Sequence, residues 1–290
     1  MPSRLAYHLV VKAMEARAGV PPMQRYVSAI ESIIHGHLPY NRYVLAGEAR
    51  ARQGAGTESI ARDVRDFFSV DLNPAVRGAQ VLKTPEAVAF AYNSYNQSAQ
   101  IAVKTEVHLS VGSAASAPGM SARRTLIQSS VDLELCKAGT LLVFEELMAQ
   151  VIRNRSRAVP QPMRDLRDVA AELALEGSAV AQLAGLFQQE GPMRIGDAAQ
   201  ALGCHQRTLE RQLKKEGTTA EGVRMAVRLL RAHERFQGPD SLTTIAHDEG
   251  FSDLAHMTRS FKTSCGMTPT LLRQVLQGAS LPKHAKQQAA

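Results

Sequence analysis

Two sets of side chains in the C-terminal third of the chain combine hydrogen-bonding groups with helical spacing. The first set comprises Gln206, Arg207, Glu210, Arg211 and Lys214, and the second comprises Leu254, Ala255, His256, Thr258, Arg259 and Lys262. An arginine can donate two hydrogen bonds to guanine, a glutamate can accept one from cytosine, and alanine or threonine methyl groups can contact the thymine methyl. Both sets therefore predict helices that bind double-stranded DNA in its grooves.

The members of the two sets have different expected roles. The three arginines are expected to contact bases or phosphates, with solvation or pairing to a nearby acid as the alternative. The two lysines are expected to contact phosphates, and His256 could donate a hydrogen bond to one. Glu210 either contacts a base or only orients an arginine, and Leu254 either packs inward or touches the DNA.

The segments that carry these sets repeat one pattern of short helix, tight turn and second helix. Apolar residues in the first copy are Ile195, Ala198, Ala199, Leu202, Leu209 and Leu213, and in the second copy Leu242, Ile245, Ala246, Met257 and Phe261. Their spacing of three and four residues is typical of one buried helix face. The first helices end at Gly203 and Gly250, which tolerate the left-handed backbone of a helix end. The sequence therefore predicts two helix-turn-helix units.

Residues 220–236 predict a stiff helix between the two units. At about 1.5 Å per residue the helix spans about 25 Å, which allows the units to reach successive major grooves about 34 Å apart. Arg224, Arg228, Arg231 and Arg235 lie on one face of this helix. They either face phosphates or form a solvated face with intrahelical pairs, such as Arg231 with Glu234, and are not part of the predicted site.

Residues 180–277 resemble the AraC/XylS family of transcription regulators. The resemblance rests on RTLERQLKKEG, on RLLRAHERF in the linker helix and on IAHDEGFSDLAHMTRSFKTSCGMTPTLLR. It implies a two-lobed, all-helical DNA-binding domain that acts beside RNA polymerase, more often as an activator than as a repressor. The chain departs from the family pattern at His205, where a serine cap is usual, at Arg235, where leucine is usual, and at Leu271 and Leu272, where an aromatic residue often occurs.

The N-terminal part predicts a different fold class. Helical patterns cover residues 3–17, 22–35, 58–68 and 141–155, and another helix begins at Thr84-Pro85-Glu86. Residues 100–111 and 124–135 alternate in polarity and predict two strands joined by a loop of small residues. We therefore expect an α+β N-terminal domain, mostly helical with a small sheet, and an all-α C-terminal domain with two helix-turn-helix units joined by a linker helix. The expected boundaries are 1–160 for a sensing or dimerising domain, 161–179 for a linker, 180–277 for the DNA-binding domain and 278–290 for a flexible tail.

Composition and motifs limit the other functions of the chain. The net charge of +7 is compatible with a polyanionic partner. Three widely spaced cysteines predict neither a disulfide framework nor a zinc finger, and His35-Gly36-His37 is a weak metal motif. We expect no metal, no cofactor and no enzymatic activity, because no Walker loop, GxSxG or HExxH motif occurs. The first residues do not predict a signal peptide and no apolar run predicts a membrane span, so we expect a cytoplasmic protein.

The sequence leaves the control of the regulator open. The N-terminal part could bind a small-molecule effector or a protein partner. Lys104, Arg123 and Arg124 either serve an anionic ligand or, as the favoured alternative, form a plain charged surface. The N-terminal part could also be an enzyme delivered to DNA, and the chain could form a homodimer. A nonspecific nucleoid protein would instead bind every duplex with similar affinity.

Overall fold

A computed structural model describes residues 5–15, 20–109, 120–127, 132–155 and 163–278. Most of the predicted small-residue loop, the first two residues of the predicted linker and the predicted tail beyond residue 278 lie outside these ranges. The described residues form 15 α-helices and four short strands. The protein is therefore mostly helical. Among the described residues, no helix is long and apolar enough to cross a membrane.

The N-terminal part contains seven of the described helices and both sheets. Its elements are β1 (Leu5–Tyr7), α1 (His8–Glu15), α2 (Pro22–Ile34), β2 (His37–Pro39), α3 (Tyr40–Arg52), α4 (Thr57–Val70), α5 (Pro74–Gln80), α6 (Pro85–Ser98), β3 (Val103–Leu109), β4 (Met120–Leu126) and α7 (Glu134–Arg155). Strands β1 and β2 pair antiparallel with Ala6 opposite Leu38. Strands β3 and β4 pair antiparallel with Thr105 opposite Arg124. The sequence predicted one small sheet, and the described residues form two.

Three differences from the predicted elements have local causes. The helix predicted over residues 3–17 begins only at His8, because Leu5–Tyr7 pair with β2. The strand predicted over 124–135 ends at Leu126, and residues from Glu134 onward belong to α7. The alternation of polar and apolar residues near that helix start also suits a strand, so periodicity over a few residues did not distinguish the two. Helices α3 and α5 were not predicted. Helix α5 gave no clear periodic pattern because it is short and contains Gly78.

The C-terminal part is entirely helical over its described residues. Its helices are α8 (Leu166–Glu172), α9 (Ala179–Glu190), α10 (Ile195–Ala201), α11 (Gln206–Glu216), α12 (Ala220–Arg235), α13 (Leu242–Asp248), α14 (Leu254–Cys265) and α15 (Pro269–Leu276). Helices α10 and α11 form the first helix-turn-helix unit, and α13 and α14 form the second. Helix α12 joins them, and its N-cap Thr219 accepts a hydrogen bond from the Gly222 amide at 3.1 Å.

The N-terminal part packs directly on the two units. Helix α2 lies against α12 and α14, and α5 lies against α12 and α15. The Tyr26 hydroxyl donates to the Leu166 carbonyl at 3.1 Å. The fully buried Arg77 guanidinium donates to the carbonyls of Arg164, at 2.7 Å, and Leu230, at 2.9 Å. Because these donors reach across to α8 and α12, the described residues share one continuous hydrophobic core.

Candidate nucleic-acid interface

Helix α11 presents the first predicted set on its outer face. Leu209 and Leu213 are buried, whereas Gln206, Arg207, Glu210, Arg211 and Lys214 are all exposed. The amphipathic pattern RTLERQLKKEG produces this separation because the two leucines are four residues apart, about one helical turn. Gln206 donates from Nε2 to Oε1 of Glu210 at 2.8 Å, so Glu210 is held by a glutamine of its own helix and not by an arginine.

The two ends of α11 differ in how their backbone groups are satisfied. The N-cap His205 makes no side-chain capping hydrogen bond, whereas serine, threonine, aspartate and asparagine are the residues that usually cap a helix. At the other end, Gly217 adopts φ of 92°, a left-handed conformation that is relaxed only for glycine and a few small polar residues. The open N-terminus leaves amide groups that can donate to a phosphate.

Helix α14 presents the second set less uniformly. Ala255, Arg259 and Lys262 are exposed, whereas Leu254, His256 and Thr258 are half-buried. Met257 and Phe261 face the core. The Asp253 carboxylate caps the helix by accepting from the His256 amide at 2.6 Å. Eight of the eleven predicted residues are therefore exposed, on two helices whose opposite faces are buried.

Two of the half-buried members of the second set have partners within the protein. Leu254 packs against the hydrophobic core. His256 lies edge-on to Phe251, with ring centroids 5.5 Å apart, and its Nδ1 accepts from the Ser252 amide at 3.3 Å. The second ring nitrogen of His256 remains the group that can reach a phosphate.

Two of the four arginines of α12, Arg231 and Arg235, form ion pairs with acids outside that helix. Arg231 donates to Glu249 at 2.7 Å and to the Gln188 carbonyl at 2.8 Å, so the predicted pair of Arg231 with Glu234 is wrong. This acid lies far from Arg231 in the sequence, and the position of α13 brings the two side chains together. Arg235 binds Asp240, Asp248 and Glu249 at 2.7, 2.8 and 3.3 Å.

The other two arginines of α12 also lie against the protein. Arg224 pairs with Glu221 at 2.5 Å and lies over the Phe187 ring, 5.9 Å from its centroid. Arg228 packs against Gly250, and burial lowers its pKa. Each of the four α12 arginines therefore lies against other protein groups, and they do not form a free basic stripe.

Sequence reasoning missed Glu249, which joins two of these arginines. Its side chain is only 3% exposed, and it lies between α12 and α13. Glu249 follows Ile245 by four residues, and this spacing puts it on the buried face of the helix. An acid at a core-facing position beside an arginine-rich helix is the signal that would have predicted the pair.

The weak metal motif does not assemble a ligand set. His37 Nε2 lies 3.0 Å from the Tyr95 hydroxyl, and the two rings stack with centroids 5.9 Å apart. Burial lowers the pKa of His37 to about 4. Within the described ranges no group of three or more His, Cys, Asp or Glu side chains is arranged to hold a metal ion.

Known proteins match the C-terminal part of this chain. Residues 198–274 match a family model described as a helix-turn-helix domain. The HTH-type transcriptional activator RhaS of Pectobacterium carotovorum subsp. carotovorum strain PC1 is 41% identical over 80 residues, which are 27% of this chain and 29% of the relative. The RhaS protein of Pectobacterium atrosepticum has the same identity and the same coverage. The chain thus spans less than a third of the length of these relatives.

A solved structure matches over a longer stretch but at low similarity. The transcriptional regulator CdpR from Pseudomonas aeruginosa aligns with 87% of this chain and 96% of its own, at 15% identity and a TM-score of 0.32. A TM-score of this size does not establish a shared fold. The C-terminal match identifies residues 198–274, which include α11 and α14, as a helix-turn-helix domain of the AraC type.

Proposed function

We propose that the protein is a transcription regulator that binds specific promoter sequences by inserting α11 and α14 into successive major grooves. The observation that carries the proposal is the division of both helices into a buried apolar face and an exposed face with arginines. Arg207, Arg211 and Arg259 are the base or phosphate ligands, Lys214 and Lys262 are phosphate ligands, and the remaining members of the two sets complete the contact surface.

The polar contacts of α12 support this proposal because they join the linker helix to the second unit and to α9, which packs against α11 of the first unit. Arg231 and Arg235 connect α12 to α13 through Glu249, and the Arg231 contact with Gln188 connects α12 to α9. A fixed separation between the two reading helices lowers the entropy cost of binding both major-groove segments. It also makes affinity dependent on the spacing between these two segments.

We further propose that the protein acts as an activator beside RNA polymerase and that a small molecule controls it through the N-terminal part. The relatives named above are transcriptional activators, which supports the first statement. A recessed cavity among N-terminal helices supports control by a small molecule over control by a protein partner, which would need an exposed docking surface.

The experiment is selection of binding sites from random duplexes with the full-length protein, followed by affinity measurements. The selected duplex and a scrambled duplex of the same length are compared over about a fourfold range of salt concentration. A specific regulator should prefer the selected duplex by about 10³-fold or more. Equal affinities that differ only with salt would instead identify a nonspecific nucleoid protein. Genome-wide footprinting with the same protein then locates its promoters.

A further inference from the structure

Five of the six tyrosines of the chain line one cavity in the N-terminal part. Tyr7 comes from β1, Tyr40 and Tyr43 from α3, and Tyr92 and Tyr95 from α6. The cavity has a volume of about 50 Å³. The remaining wall is largely aliphatic and includes Leu5, Val10, Ile101, Val103 and Val143.

The polar groups of the cavity wall are already paired with other protein groups. The Tyr43 hydroxyl lies 3.2 Å from Oγ1 of Thr140. Arg124 forms two hydrogen bonds of 2.7 Å with the carboxylate of Asp132, so the charge of the guanidinium is neutralised. Burial raises the pKa of Tyr92 to about 12, and its ring therefore stays uncharged. A charged ligand would lose its hydration here without gaining an unpaired opposite charge.

One chain of hydrogen bonds leads from the cavity to the second reading helix. The Tyr7 hydroxyl donates to Oδ2 of Asp71 at 3.0 Å, and His8 Nε2 lies 3.1 Å from the same oxygen. His8 Nδ1 donates to the Gly36 carbonyl at 2.9 Å. The Gly36 amide in turn donates to the Ser264 carbonyl, in the last turn of α14, at 2.8 Å.

A second contact path starts from Tyr95. The Tyr95 hydroxyl is hydrogen-bonded to His37. The His37 ring packs against Gly266, the residue that ends α14, and a Cβ atom built on Gly266 would lie 3.1 Å from His37 Cε1. Two tyrosines of the cavity wall therefore contact groups that hold the C-terminal end of α14.

We propose that the tyrosine cavity binds a small, uncharged, mostly apolar molecule about one aromatic ring in size, and that its binding changes the position of α14. This inference rests on the proposed function, since it names the effector class of that regulator. A cavity that holds benzene has a volume of about 150 Å³. A ring-sized ligand must therefore displace part of the lining. Where it displaces Tyr7 or Tyr95, the contacts that end at Ser264 and Gly266 change.

The first experiment tests the cavity with a matched pair of probes. Benzyl alcohol and benzoate share one ring and differ in charge, and their binding to the full-length protein is followed by ligand-detected saturation-transfer NMR. We expect benzyl alcohol to bind and benzoate to bind at least tenfold more weakly. Failure of benzyl alcohol to bind, or equal binding of the two probes, would overturn the proposal.

Two cavity-filling variants locate the binding site. Val143→Phe and Ile101→Phe add bulk to the lining, whereas Val44→Phe adds the same bulk to a half-buried position of α3 that does not line the cavity. Thermal unfolding identifies which variants are folded. At least one folded cavity variant should lose benzyl alcohol binding about tenfold while Val44→Phe keeps it. Folded cavity variants that bind as the unaltered protein does would contradict the site. If neither cavity variant folds, hydrogen exchange of the Tyr92 and Tyr95 amides is measured in the unaltered protein with and without benzyl alcohol. Unchanged exchange would contradict the site.

The last measurement tests the connection to DNA binding. Benzyl alcohol should change the affinity for the selected duplex about fivefold or more, and Tyr95→Phe should bind the alcohol but reduce that change. An affinity that does not respond to bound alcohol would refute the connection while leaving the cavity site intact. If the protein binds all duplexes equally, the proposed function fails, yet the NMR titration still reports on the cavity.

Discussion

The backbone amide of Gly36 donates a hydrogen bond to the carbonyl oxygen of Ser264 at 2.8 Å. The side-chain amide of Asn73 donates to the same oxygen at 2.8 Å, and the Ser264 hydroxyl donates to the Ile33 carbonyl at 2.5 Å. Carbonyl groups in the last turn of a helix have no partner within that helix. The N-terminal part therefore satisfies the end of α14 and takes part in setting the position of the second reading helix.

Substituting Gly36 should weaken this contact. A Cβ atom at Gly36 would lie 2.1 Å from the Ser264 oxygen and 2.4 Å from Nδ2 of Asn73. We expect Gly36→Ala to lower the free energy of unfolding by roughly 1–3 kcal/mol, measured by urea denaturation, because the backbone of two elements must separate. Gly177→Ala is the control, since nothing lies within 4 Å of its Cβ position. Equal stabilities of the two variants would contradict the close approach.

Removing Glu249 should destabilise the contact between α12 and α13. Glu249 is buried, and its loss leaves Arg231 and Arg235, each about one-third exposed, without this acid. Breaking a fully buried pair costs about 3–5 kcal/mol, and solvent screening of the arginines reduces this to roughly 1–3 kcal/mol. Urea denaturation of Glu249→Ala measures the effect.

A matched control for Glu249 is Asp248→Ala, which removes an exposed acid from the same Arg235. This change should lower the free energy of unfolding much less than Glu249→Ala does, because water screens exposed ion pairs. If both variants lost the same stability, burial of Glu249 would not be the source of the effect.

Arg207 should contribute to base recognition. Arg207→Ala is expected to weaken binding to the selected duplex by about 1–3 kcal/mol and to relax the preference for one base pair, because a bidentate contact to guanine is lost. Fluorescence anisotropy with single-base variants of the duplex measures both effects. Uniform weakening on selected and scrambled duplexes would assign Arg207 to the phosphate backbone instead.

Lys262 should contribute to affinity without contributing to specificity. Lys262→Ala is expected to weaken binding to selected and scrambled duplexes alike and to reduce the slope of log affinity against log salt by about 1, because one phosphate contact is lost. Arg207→Ala serves as the comparison in the same salt series. A loss confined to the selected duplex would show that Lys262 reads a base.

Acid should destabilise the protein partly through His233. This side chain is fully buried between α12 and α5, and neither ring nitrogen has a hydrogen-bond partner among the described residues. Burial and the nearby Arg77 guanidinium hold the pKa of His233 well below its usual value. The unfolded chain therefore binds more protons than the folded chain below about pH 6.5, and stability falls as pH falls, by up to about 1.4 kcal/mol per pH unit.

The variant His233→Phe should reduce this pH dependence without abolishing it. The lowered pKa of His37 acts in the same direction between about pH 6.5 and 4, so part of the slope should remain. Urea denaturation at several pH values measures the slope for both proteins. An unchanged slope in the folded variant would mean that His233 does not contribute to acid destabilisation.

Short-range patterns in the sequence predicted the helix-turn-helix units closely. The spacing of Leu209 and Leu213, and of Met257 and Phe261, agrees with the buried faces of α11 and α14. Serine is a preferred helix N-cap, and Ser241 caps α13 by accepting from the Thr244 amide at 3.0 Å. These features depend on contacts within one or two helical turns, so the local order of residue types is sufficient to predict them.

By itself, then, the sequence determined the two amphipathic reading helices, their outward-facing sets and the length of the helix between them. Only the tertiary structure decided that Arg231 pairs with Glu249, that five tyrosines surround one cavity and that Gly36 contacts the end of α14. Each of these contacts joins residues from different parts of the fold, and the last pair is separated by more than 200 positions. Periodicity reports which face of a helix is buried, but it contains no information about which distant element covers that face.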